Sequence, residues 1–241
     1  MRTQTIELTT EDGPMALYEA LPDNREDLRG AVIVIQEAFG VNDHIEDVTR
    51  RLAAQGYHAV APHLFHRAGG GTAPYDDFSK VLPMFAGLDD RGLLADVDAT
   101  LAHLRQAGGE DRRTGIVGFC MGGRVVFLVA VERALGAAAT FYGGGIVTAR
   151  FPQFPALVDR APRLETPWLG LFGDEDESIP VEDVERLRSA LAPAPVDWDI
   201  VRYPDAGHGF HCEARPAHYH REAAADGWSR TLAWFAKHLQ G

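Results

Sequence analysis

Six short apolar or β-branched runs, each bounded by Gly or Pro, punctuate the chain: "AVIVIQ" (31–36), "YHAVAP" (57–62), "TGIVGF" (114–119), "AAATFYG" (137–143), "PWLGLFG" (167–173) and "VDWDIVRYP" (196–204). Their lengths and near-continuous apolar character predict strands buried on both faces. Helix-like stretches separate most of them: "DHIEDVTRRLAAQG" (43–56), "RGLLADVDATLAHLRQAGG" (91–109), the segment after Cys120, "PVEDVERLRSALA" (180–192) and "DGWSRTLAWFAKHL" (226–239). Such alternation predicts a mostly parallel central sheet with helices on both faces. Ahead of it, residues 4–9 alternate around Ile6 and Leu8, and "EDG" turns the chain into "MALYEAL", the pattern of an antiparallel N-terminal hairpin. With 241 residues, 46% of them hydrophobic, the chain can bury one large core, so a single α/β domain over residues 1–241 is expected.

A formal charge of −12 argues against a surface for nucleic acid or anionic lipid, because like charges repel. The longest apolar run, "VVFLVAV" from Val125 to Val131, is too short to span a bilayer, and the N-terminal residues lack the apolar core of a secretory signal. The expectation is a cytoplasmic protein, monomeric or homodimeric, acting on a small molecule. The two cysteines, Cys120 and Cys212, are too far apart in sequence for a CxxC pair and too few for a disulfide framework.

In open parallel sheets, sites form at the carboxyl ends of strands, which directs attention to the loops after Gln36, Phe119, Gly173 and Pro204. The Gly-rich stretch "HLFHRAGGGTAPY" (63–75) reads as a mobile loop near the site mouth. Gly118-Phe119-Cys120-Met121-Gly122 has the spacing of a nucleophile elbow, where a strand turns sharply into a helix and the central side chain is forced outward. In that turn positions 118 and 122 tolerate little beyond hydrogen, and the helix amino end sets N–H groups beside the sulfur. A buried cysteine in a Gly-rich turn, or a phosphate loop, fits the same six letters.

Partner order adds information, since in elbow architectures the acid follows the nucleophile and the histidine comes last. Asp176 in "LFGDEDESIP" and His208 in "YPDAGHGF" each follow a predicted strand. Asp174 and Glu175 compete for the acid position and His211 for the base; Asp176 is preferred for its place beyond the strand end, and His208 for its flanking Gly207 and Gly209. "HLFH" and "HYH" lack supporting ligands, so no metal and no cofactor is expected.

The stretches "QEAFGVN" (36–42), "GFCMGG", "FYGGGI" (141–146), "GDEDESIP" and "AGHGF", in this order and at these separations, resemble the dienelactone hydrolase family, cysteine hydrolases of the α/β-hydrolase fold. The resemblance implies a catalytic triad of Cys120, Asp176 and His208. It also implies an active-site glutamate at Glu37, which holds the resting thiol and swings away on substrate binding, and an oxyanion hole from the backbone N–H groups of Ala38 and Met121. The expected reaction is hydrolysis of a small ester or lactone through an acyl-thioester on Cys120, with His208 as base and Asp176 orienting it.

The sequence departs from the family in the two arginines with which dienelactone-hydrolysing members grip the substrate carboxylate. Cys212 stands where one would be, four residues after His208, and the segment before "GLDDRG" offers Lys80 and no arginine. Arg215, Arg67 and Arg124 are candidate substitutes, each with a surface salt bridge as its ordinary role. Phe39, Phe65, Tyr142 and Phe210 suggest a partly apolar pocket; with Lys80, Phe39, Tyr142 and Phe210 are the expected substrate contacts. Two other function classes use the same residues: a peroxide-reactive thiol protein built on Cys120, and a non-catalytic module binding a small acid.

Overall fold

A computed structural model describes residues 1–24 and 28–240. Its strands are β1 (Arg2–Thr10), β2 (Gly13–Leu21), β3 (Ala31–Ile35), β4 (His58–Pro62), β5 (Thr114–Phe119), β6 (Ala137–Phe141), β7 (Trp168–Gly173) and β8 (Trp198–Tyr203). They form one sheet in the order β1-β2-β4-β3-β5-β6-β7-β8. The β1–β2 and β2–β4 pairs are antiparallel and every other pair is parallel. Each predicted strand is present, and the hairpin turns where "EDG" places it, with Thr10 opposite Gly13. The N-terminal hairpin thus extends an otherwise parallel sheet of the α/β-hydrolase type.

The helices are α1 (Asp43–Ala54), α2 (Val81–Phe85), α3 (Asp90–Gln106), α4 (Met121–Glu132), α5 (Val181–Leu191) and α6 (Arg221–His238). α1 begins where the Asn42 side chain accepts the Ile45 N–H, and α3 where Asp89 accepts that of Gly92, satisfying donors that a helix start leaves free. α6 starts five residues earlier than its apolar periodicity predicts. The His220 ring accepts the Ala223 N–H, which lets the alanines of "REAAAD" join the helix.

Side-chain alternation along β5 shows how helices cover both faces. A Cβ on Gly115 would meet Phe235 and Leu239 at the α6 end, whereas one on Gly118 would meet Val126 of α4. Positions 115 and 118 differ by an odd number, so α6 and α4 lie on opposite faces. α4 is central, with every residue from Met121 to Val131 buried. β6 and β7 are joined by a long connection with a 3₁₀ segment, Val158–Arg163, and an isolated bridge between Phe151 and Phe154, two phenylalanines that reach back toward the carboxyl edge of the sheet. Among the described residues no helix is long and apolar enough to cross a membrane.

Candidate active site

Cys120 follows β5 and opens α4 with φ 55° and ψ −118°, a strained conformation for a side-chain-bearing residue. The glycines around it explain how the turn closes. A Cβ on Gly118 would lie 2.3 Å from the Gly122 carbonyl oxygen, and one on Gly122 would lie 2.4 Å from that of Gln36. Neither contact is physically possible, so "GFCMGG" is a turn in which position 120 alone carries its side chain outward.

Of the two candidate histidines, His208, on the loop after β8, is the one that meets an acid. Its Nδ1 lies 2.6 Å from Oδ2 of Asp176, on the loop after β7. The other carboxylate oxygen, Oδ1, accepts from the Ser178 N–H at 2.9 Å and from the Ser178 hydroxyl. Burial alone would raise the Asp176 pKa, but the His208 and Ser178 hydrogen bonds and the His208 charge outweigh it and hold the carboxyl below its usual range. For His208, burial disfavours the cation, yet Cys120 and Asp176 overcome it and push the imidazole up to about 10. The competing residues are committed elsewhere. Asp174 makes a two-point ion pair with Arg202 at 2.7 and 2.8 Å, and Glu175 is exposed. His211 is buried against Phe119, Phe141 and Trp228 on the far side of the elbow, where burial pushes it down to about 3.

Glu37 follows β3 and is buried. Its Oε1 accepts from the Tyr142 hydroxyl at 3.3 Å, while Oε2 has no partner among the described residues. Burial raises its pKa against the opposing charges of Arg215 and His208 and the Tyr142 hydrogen bond. Tyr142, at φ 39°, packs edge-on to His208 with ring centroids 5.2 Å apart. It therefore braces both groups from beneath.

A cavity of about 330 Å³ opens above these residues, bordered by Cys120, His208, Ser178, Ala38 and Met121, with Phe78, Phe85, Phe151 and Phe154 as its aromatic wall. Met121 opens a helix, so its N–H lacks an intrahelical acceptor, and with the Ala38 backbone it borders the space beside Cys120. Arg124 and Arg150 complete the lining. Arg124 is buried, not superficial; Asp90 takes its Nη1 at 2.6 Å and the Pro155 carbonyl its Nη2 at 2.6 Å, leaving Nε without a partner. Arg150 is exposed and pairs with no carboxylate among the described residues.

None of the four substrate contacts expected from the sequence borders the cavity. Lys80 is 63% exposed and turned to Asp77 at 3.3 Å, because the 3₁₀ turn that sets the half-exposed Phe78 at the cavity rim points Lys80 away from it. Phe39 is buried beneath Tyr75, Tyr142 lies below His208, and Phe210 packs against Tyr142 and Tyr203 in the core. Phe65 is likewise buried, against Phe85. Arg67 is held by Asp12 and Asp96, and Arg215 stacks over Phe39 and Tyr75. No periodic pattern marks the wall residues, but two of them stand in "FPQFP", where prolines disfavour regular structure and two phenylalanines have no period to serve. The 63–75 stretch, for its part, docks on the site's flank, where the Ala73 N–H reaches the Phe39 carbonyl at 3.1 Å. There the Tyr75 hydroxyl accepts from Asn42 at 2.9 Å and from the Cys212 thiol at 3.5 Å. Cys212 is fully buried and its thiol is pushed up to about 11 by that burial and the nearby Glu37 charge.

Known proteins are similar to this chain over most of its length. The family model described as "Dienelactone hydrolase family" matches residues 15–239. A Yersinia pestis protein with the provisional name carboxymethylenebutenolidase is 41% identical over 238 residues, covering 96% of this chain and 86% of its own. The carboxymethylenebutenolidase of Rhodococcus opacus is 33% identical over 212 residues, covering 86% of this chain and 81% of its own. A crystal structure from Klebsiella pneumoniae, provisionally titled a dienelactone hydrolase, superposes with a TM-score of 0.88 at 40% identity and 98% coverage of both chains. From residue 15 to residue 239, then, the chain belongs to the dienelactone hydrolase family, a family of hydrolases.

Proposed function

We propose that the protein is a cysteine-dependent hydrolase of a small ester or lactone, with Cys120 as nucleophile, His208 as base and Asp176 as its orienter. The observation that carries this reading is the 2.6 Å His208–Asp176 bond at the mouth of a cavity that Cys120 also borders. In the reaction, the Cys120 sulfur adds to the carbonyl carbon and the developing oxyanion faces the N–H groups of Ala38 and Met121. Two such donors lower the barrier by roughly 3 kcal/mol. The carbon–oxygen bond then breaks, imidazolium His208 gives its proton to the departing alkoxide, and an acyl-thioester remains. Water, deprotonated by His208, attacks the thioester; the carboxylic acid leaves and the Cys120 sulfur is restored.

Glu37 enters as the carboxyl that engages the thiol before substrate arrives, a role supported by its unpartnered Oε2 and its position beside His208. The phenylalanine wall favours a substrate with an apolar body, and the exposed guanidinium of Arg150 favours a negative charge on it. A thiol-redox role gains nothing from Cys212, whose burial and raised pKa suit it poorly as a resolving thiol.

Hydrolysis of an activated aryl ester and of a dienelactone, compared in the native protein, Cys120→Ala and His208→Ala, tests the reading. Loss of ester hydrolysis in both variants is expected, and equal rates in all three proteins would overturn it. Glu37→Gln should slow turnover and alter the kinetics of thiol alkylation; unchanged alkylation removes Glu37 from the site.

A further inference from the structure

At the other end of the sheet from Cys120, three side chains from three separate elements converge. Glu19 comes from β2, His58 from the first position of β4 and His103 from α3. Glu19 and His58 lie on one sheet face because Glu19 is opposite Val60, two residues from His58, and side chains alternate along a strand. α3 brings His103 to the same point. Both imidazoles direct Nε2 at a single oxygen, Oε1 of Glu19, at 2.7 Å from His58 and 3.0 Å from His103. One potential ligand atom from each residue falls within 4.8 Å of the others. Gln4 of β1 donates to the second carboxylate oxygen and fixes the orientation of the group.

We infer that Glu19, His58 and His103 form a binding site for one divalent transition-metal ion of the zinc class, separate from the hydrolytic site. Two imidazole nitrogens and one carboxylate oxygen are the donor set that borderline cations such as Zn²⁺ prefer. Metal–ligand bonds of about 2.0–2.1 Å at tetrahedral angles separate ligand atoms by roughly 3.3 Å, so the two spacings to Oε1 have to widen by about 0.6 Å for His58 and about 0.3 Å for His103. The ion replaces the two hydrogen bonds now made to Oε1: each neutral imidazole carries its proton on Nδ1 and presents the Nε2 lone pair. The fourth position falls to water. Gln4 supplies the outer hydrogen bond that metal-binding carboxylates commonly have. Access is provided by His103, whose side chain is 20% exposed, and by a cavity of about 80 Å³ that borders His58. An ion here ties the antiparallel edge of the sheet, β1 and β2, to β4 and α3, and its binding free energy adds to the stability of the native state.

The three residues are distant in sequence and carry no ligand spacing, which is why only the folded chain brings them forward. The test uses full-length Cys120→Ala, so that the hydrolytic thiol cannot compete. The protein is stripped with a chelator and titrated with Zn²⁺ by calorimetry. One ion per chain and a higher Tm with Zn²⁺ are expected. Adding His103→Ala or Glu19→Gln should weaken binding at least about 10-fold and abolish the Tm rise. A second measurement does not depend on how those variants fold: in ¹⁵N-histidine-labelled Cys120→Ala, Zn²⁺ should shift the imidazole resonances of His58 and His103. Absence of binding, equal affinity in the variants, or shifts confined to other histidines would overturn the proposal.

Discussion

His208 and Asp176 lie 32 positions apart in sequence, on loops that leave neighbouring parallel strands, and meet through a 2.6 Å Nδ1–Oδ2 hydrogen bond. Ser178, two residues beyond Asp176, saturates the other carboxylate oxygen, so the acid has no freedom to leave the imidazole. The bond sets the ring's orientation and, together with Cys120, favours its charged form.

Asp176→Asn keeps the shape but offers His208 an amide, which favours the wrong tautomer. Ester turnover is expected to fall about 10³- to 10⁴-fold. Stability should respond to pH as well. His208 has a folded-state pKa of about 10 against an ordinary 6.5, so its contribution is complete below pH 6.5 and is lost as pH rises toward 10. In Asp176→Asn that alkaline decline should flatten. Urea unfolding of both proteins between pH 6 and 10 checks it, and parallel curves would contradict the electrostatic reading of the pair.

Beneath the elbow, His44 and His211 are buried with ring centroids 5.8 Å apart, and His44 Nε2 and His211 Nδ1 have no partner among the described residues. Burial lowers their pKa values to about 4 and about 3. Unfolding lets both bind protons near pH 6.5, so the unfolded chain takes up more protons than the native one and stability falls as pH drops from 6.5 toward 4. His211→Phe, which fills a slot already bounded by Phe119 and Phe141, should reduce the slope of unfolding free energy against pH in that window. An unchanged slope would mean that other groups govern acid lability.

Much of this architecture is legible in the sequence because its signals are local. Six apolar runs bounded by Gly and Pro are six strands, and "GFCMGG" is a turn that backbone crowding at Gly118 and Gly122 makes intelligible without any partner. In the sequence, His208 is set apart from His211 by its flanking Gly207 and Gly209 and by lying nearer the strand end; in the fold what separates them is burial, since His211 fills the core behind Phe119. The cavity wall was not legible. Aromatic residues near motifs, such as Tyr142 and Phe210, lie in the core beneath the site, while the wall comes from Phe78, Phe85, Phe151 and Phe154, delivered by irregular or very short elements with no period to read. Arg124 looked like a surface cation in the sequence and is buried because Asp90, from a different helix, neutralises it.

Gly122→Ala tests the crowding directly. The added methyl would meet backbone oxygens of Gln36 and Ile35 at 2.4 and 2.6 Å, and the end of β3 that carries them cannot retreat without unpairing Ile35 from Gly118 of β5. Overpacking of this kind costs about 1–3 kcal/mol or more. A lower urea midpoint with ester turnover reduced even in the folded fraction is expected, since the shift displaces Cys120. Native-like stability would show that the turn has slack the geometry denies.

Charge selectivity at the cavity turns on one of its two arginines. Arg124 and Arg150 both border it, but Asp90 and the Pro155 carbonyl occupy the Arg124 fork, whereas Arg150 is exposed and unpaired among the described residues. Arg150 is therefore the cation free to meet a charged substrate. At an exposed position the attraction is worth about 0.2–1 kcal/mol, so Arg150→Ala should raise KM about 1.5- to 5-fold for an aryl ester bearing a carboxylate. The neutral analogue should keep its KM, and kcat should hold for both, because the charge sits at the rim and not on the reacting carbonyl. High salt should shrink the difference between native and variant, as screening reaches an exposed pair first. Equal KM changes for the charged and neutral esters would assign Arg150 to the shape of the cavity and not to its charge preference.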